Sequence, residues 1–129
     1  MVRTRFLADY RPWPFTVLET RLDVTLSPRG TRVRSALRLS RTGPGDLVLD
    51  GGKGLRTRAI SIDGRTLDEA DLSIGEETLT IGEALLPDSE FTFAADVEID
   101  PQDNTALEGL YLSGGIFCTQ CEAEGFRHI

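Results

Sequence analysis

Two stretches of this chain alternate between apolar and polar side chains with a period of two. Over residues 16–26, Leu18, Leu22, Val24 and Leu26 fall on one side, and Glu19, Arg21, Asp23 and Thr25 on the other. Over residues 31–41, Val33, Leu37 and Leu39 face inward while Arg32, Arg34 and Arg38 face out. Period two is the side-chain spacing of a strand with one buried face. Ser27-Pro28-Arg29-Gly30 lies between the two runs, with Pro and Gly where a turn wants them. The pattern predicts a long two-stranded hairpin, its outward Arg and acidic side chains pairing across the strands.

Shorter runs follow. Residues 47–49 make a strand closed by Asp50-Gly51-Gly52. Residues 55–62 turn at Asp63-Gly64, a strong hairpin signal, and return over 65–67. A polar link over residues 68–71 leads to two strands, 72–74 and 78–81, and a loop at 85–88 follows. Phe91, Phe93, Ala95, Val97 and Ile99 then alternate with Thr92, Asp96, Glu98 and Asp100. No segment holds a 3.6-residue period over three turns. About eight or nine short strands at near-regular spacing imply an all-β fold. The expectation is one domain over residues 1–129, a sandwich or saddle of mainly antiparallel sheets with little or no helix. Residues 1–14 form an arm: Pro12 and Pro14 hold Arg11 and Trp13 extended, and Phe6, Tyr10 and Trp13 are expected to lie along a groove, in this domain or in sequence outside it.

Composition narrows the function classes. At 129 residues the chain is one domain by length, and 40% hydrophobic with 27% charged residues is the balance of a soluble globular protein. No apolar run approaches the ~20 residues that span a bilayer, so no membrane partner is expected. The N-terminus has arginines but no apolar core, so it does not read as a secretory signal. With only two cysteines, the expected compartment is the reducing cytoplasm. A net charge of −7 argues against nucleic acid as a partner. Residues 1–65 carry 13 basic and 6 acidic side chains, and residues 66–129 carry 1 and 15. Either the two halves lie together and neutralise, or an acidic surface faces a cationic ligand such as a peptide's free amino terminus.

Candidate chemistry concentrates in residues 104–129, where carboxylates and amides mix with apolar residues and glycines. Cys118 and Cys121 stand in a C-x-x-C spacing. A structural zinc site needs four ligands and a thioredoxin-like pair needs a βαβ setting; neither fits an all-β chain with His128 as its one histidine. Two buried or half-buried thiols near a strand end are the plainer reading. The H-E-x-x-H zinc pair is absent, so no complete hydrolase site can be built from these residues. The Gly51, Gly52 and Gly54 run lacks phosphate-loop spacing and a following helix. Gln120 and Glu122 stand two apart and project to the same side of an extended segment. An amide and a carboxylate so placed can hold a primary ammonium, although such pairs on strands are usually just solvated. Glu108 and Asn104 read as turn and strand-pairing residues.

The wording N-T-A-L-E-G-L-Y, a Gly-rich turn and C-T-Q-C-E-A-E-G-F-R-H-I resembles the bacterial aminopeptidase N family, zinc metallopeptidases of the gluzincin type. Asp9-Tyr10-Arg11-Pro12 followed by a long hairpin is similar to the start of the same proteins. The resemblance covers nearly the whole chain and is most specific over residues 104–129. It implies an N-terminal β domain that serves as scaffold, with residues 120–123 reaching the catalytic cleft of the next domain. Glu122 would bind the substrate's α-amino group, Gln120 would lie beside the first side-chain pocket, and Ala123 completes the motif. The chain stops at Ile129 inside an apolar segment, which suggests a cut from a longer polypeptide. The zinc, its ligands and the general base are then expected outside these residues, and the fragment alone is expected to be inactive. The partners implied are peptide substrates and the catalytic domain of the same polypeptide. A stand-alone β-sandwich interaction module using a strand edge or the acidic face is the rival. A small redox or zinc protein built on Cys118 and Cys121 is another, which two free thiols without metal would dispose of.

Overall fold

A computed structural model of the protein describes residue 4 and residues 6–122. Ten strands run through them. They are β1 (Phe15–Thr25), β2 (Thr31–Arg41), β3 (Leu47–Asp50), β4 (Arg56–Ile62), β5 (Arg65–Thr66), β6 (Leu72–Ile74), β7 (Thr78–Ile81), β8 (Glu90–Ile99), β9 (Gly109–Ser113) and β10 (Ile116–Gln120). They form three sheets, in the orders β1-β2-β8-β4-β5, β3-β7-β6 and β9-β10, and every pairing is antiparallel. The all-β expectation holds. The polar link, the loop after β7 and the end of β8 each contain a single 3-10 turn, at Glu69–Asp71, Glu83–Leu85 and Pro101–Asp103.

The long hairpin forms as its alternation requires, with one correction. Register steps from Val17 opposite Leu39 to Glu19 opposite Arg38, so Leu18 is the extra residue of a bulge. Leu18 therefore does not continue the row of Leu22 and Val24; Val17 takes the place opposite Leu39. The Asp63-Gly64 turn closes with φ of 48° and 79°, the left-handed pair of a two-residue hairpin loop.

The core lies between one face of the five-stranded sheet and the three-stranded sheet. Leu39, Ile60, Ile62, Phe91 and Phe93 come from the first, Leu47 and Ile81 from the second, and Phe15, Leu67 and Leu86 close the margins. Phe15 meets Phe91 edge to face at 5.9 Å, and Trp13 meets Phe15 at 5.1 Å. The Trp13 indole N–H donates to the Val48 carbonyl at 3.1 Å. The arm thus docks through Trp13, while Phe6 and Tyr10 stay exposed on this chain. Further along the same face, Leu22 and Val24 are also exposed.

The basic and acidic halves do lie together. On the outer face Arg32 and Arg34 reach Asp96, Arg38 reaches Glu90, and Arg56 and Arg58 both grip Glu98. Arg58 is the extra residue of a second bulge, between Thr57 and Ala59. Arg41, nearly buried, is matched by Glu83 and Asp88. Arg56 donates to Asp100 at 2.6 Å and 3.1 Å, and the Gly30 N–H donates to the same carboxylate at 2.7 Å. These bonds pull Asp100 down to about 2. Hydrogen bonds from Arg56 and Arg58 lower Glu98, and one from Arg32 lowers Asp96.

A carboxylate held below its unfolded pKa stabilises the fold in full above that unfolded value. The contribution fades as pH falls through the folded value. The thermal midpoint is therefore expected to fall between about pH 4 and pH 2. Asp100→Asn should flatten that part of the profile. Circular-dichroism melts at stepped pH measure both, and a midpoint level down to pH 2 would remove the ion pairs from the stability account.

Candidate functional site

The candidate residues sit at the end of the β9–β10 hairpin. Leu110, Tyr111 and Leu112 face Thr119, Cys118 and Phe117, apolar and aromatic strand formers with one polar residue. Gly114 and Gly115, at φ 57° and 80°, supply the left-handed pair that the two-residue loop demands. The last rung pairs Gln120 with Gly109. Glycine has no side chain to cover its partner, and the Gln120 amide is exposed. The strand ends there. Cys121 follows without regular structure, and Glu122 is exposed in a turn. The amide and the carboxylate thus share the hairpin's end rather than one strand face. Ala123, Glu124 and His128 lie outside the described residues.

Two left-handed residues shape the hairpin's root: Leu107 at φ 58° and Gly109 at φ 70°. The Asn104 side chain holds this bend. Its Nδ2 donates to the Glu108 carbonyl at 2.8 Å and to the Leu110 carbonyl at 2.9 Å. Sequence reading gave Asn104 only a general turn role. The available signal was an asparagine four residues before a Glu-Gly pair that opens a strand.

Cys118 lies on β10 and donates its thiol to the Ile116 carbonyl at 3.6 Å; Cys121 lies just past the strand. Both are half-buried free thiols. Among the described residues no three His, Cys, Asp or Glu side chains are placed to hold a metal, so these residues do not fit a zinc ion. The glycine run lines a concavity of about 540 Å³ between the β3–β4 connection and the hairpin root. Asp50, Glu77, Asp100, Asp103 and Glu108 line it against Lys53 and Arg56, an excess of negative charge that disfavours phosphate. No helix among the described residues is long and apolar enough to cross a membrane.

No protein-family model matches the chain. Aminopeptidase N of Caulobacter vibrioides is 53% identical over 125 residues, which cover 95% of this chain and 14% of that protein. Aminopeptidase N of Escherichia coli is 37% identical over 128 residues, 98% of this chain and 14% of that protein. Both matches involve the N-terminal region of the relative. A crystal structure of Legionella pneumophila aminopeptidase A in complex with aspartic acid shares the fold, with a TM-score of 0.82 at 24% identity over 96% of this chain and 15% of that one. The chain therefore spans about 14% of the length of the curated relatives it matches.

Proposed function

We propose, on the premise that this chain is homologous to the N-terminal region of bacterial aminopeptidase N, that it is the scaffold and amino-terminus anchor of a zinc aminopeptidase acting on peptides. The supporting observation is the hairpin's end, where Gln120 closes the last rung opposite a glycine and Glu122 stands exposed two residues on. A carboxylate there can accept hydrogen bonds from a peptide's ammonium, a charge-assisted interaction. The neighbouring amide can accept another or line the pocket for the first side chain, with Ala123 continuing the segment.

The role is one of measurement. A peptide whose charged end is fixed presents its first bond, and no later one, to the reacting centre. In this reading the zinc, the general base and the cleft wall come from the catalytic domain of the same polypeptide. The peptide then reaches Glu122 only when that domain is docked beside the hairpin. A cytoplasmic location fits the composition. The test is Glu122→Ala in the full-length protein, with kinetics on amino-acid anilides. A raised KM supports the anchor, and unchanged kinetics ends it.

A further inference from the structure

We propose that Asn104 is a positioning residue for the amino-terminus anchor, an inference that rests on the reading of Glu122 above. The β9–β10 hairpin bonds to no other sheet among the described residues. Something else must fix its direction relative to the body of the domain. The 3-10 turn Pro101–Asp103 is tied to that body. Pro101 is buried, the Gln102 N–H donates to the Pro28 carbonyl at 2.9 Å, and Arg29 pairs with Asp103 at 3.2 Å. Asn104 follows directly, its own N–H donating to the Pro101 carbonyl at 3.3 Å.

From that fixed point the Asn104 amide spends both of its hydrogens on the hairpin. The two carbonyls it holds, of Glu108 and Leu110, flank Gly109. Gly109 is the residue paired with Gln120 on the last rung. Glu122 lies two residues further. One path from the rigid sheet to the anchor therefore runs through the Asn104 side chain and the last rung. The bend it clamps holds Leu107 in a left-handed conformation that a leucine rarely adopts. Releasing the clamp allows that bend to relax and swing the hairpin.

The chemistry demands asparagine. Two carbonyl oxygens must be met by two N–H groups on one nitrogen. Alanine offers neither. Aspartate keeps the shape but turns an ionised acceptor toward two acceptors.

The experiment uses the full-length protein with Asn104→Ala, Asn104→Asp, Glu122→Ala and the double variant Asn104→Ala with Glu122→Ala. Kinetics with amino-acid anilides are joined by amide hydrogen exchange at Gly109 and Gln120. Both Asn104 variants are expected to raise KM by roughly 5- to 20-fold with a smaller change in kcat, since misplacing a positioning group weakens productive binding. Aspartate should be at least as damaging as alanine, and exchange at Gly109 and Gln120 should quicken. The double variant should be no worse than Glu122→Ala alone. Wild-type KM in Asn104→Asp would overturn the proposal, because a space-filling role survives that change. So would full multiplicative losses in the double variant. Those results with a damaged Glu122→Ala would sink the clamp alone. Normal kinetics in Glu122→Ala would sink the anchor and the clamp together.

Discussion

If the full-length protein is the aminopeptidase proposed above, Glu122→Ala in it is expected to lower kcat/KM for amino-acid anilides by roughly 10- to 100-fold, chiefly through KM. Hydrogen bonds to charged groups contribute about 1.5–3 kcal/mol, and each ~1.4 kcal/mol is tenfold in rate or binding. The side chain is exposed at the hairpin's end, so its removal should leave the fold intact. Loss of a group that binds substrate and transition state alike appears in KM; loss of alignment appears in kcat as well. Steady-state kinetics at several substrate lengths separate the two. A loss that shrinks for longer substrates would mean that other contacts share the anchoring.

Leu39→Ala in this chain is expected to lower stability by about 2–5 kcal/mol, the range for emptying a packed leucine site. Leu39 is fully buried. It stands opposite Val17 on one side and Phe91 on the other, on an interior strand of the five-stranded sheet. It also packs in the cluster that joins that sheet to Leu47 and Ile81. Leu22→Ala is the control. It lies on the same face but is 59% exposed, and a change there should stay within about 0.5 kcal/mol. Urea melts of both variants measure the contrast. Equal losses would mean that burial does not set the stability of this face.

Much of this fold was legible because its strands are half-buried. Residues 31–41 and 91–99 alternate cleanly, and each became an interior strand, with Leu39, Phe91 and Phe93 buried as the pattern put them. The charge imbalance between the halves also read through, as arginines of β2 and β4 meeting carboxylates of β8. Leu18 did not read through. Alternation cannot reveal an extra residue when Val17 and Leu18 are both apolar and either could face the core. The arm was half legible: its aromatics suggested docking, but only Trp13 carries an N–H that finds the Val48 carbonyl.

The proposed site rests on sequence wording more than on geometry. The wording around Gln120 and Glu122 carried the assignment, while spacing alone could not separate it from an ordinary solvated pair. The end of β10 at Gln120 was hidden, since nothing in Thr119-Gln120-Cys121-Glu122 marks where pairing with Gly109 stops. Asn104 was hidden for a related reason. Its two bonds depend on a left-handed leucine, which no residue pattern announces.

The central claim is that one carboxylate recognises a positively charged peptide end. The direct measurement is a ratio of competitive inhibition constants: an amino-acid amide against the same amide without its amino group. It is taken on the full-length protein and on Glu122→Gln. The wild-type protein should prefer the amine-bearing inhibitor, and the variant should lose roughly tenfold or more of that preference. A preference of the same size in Glu122→Gln would contradict the account.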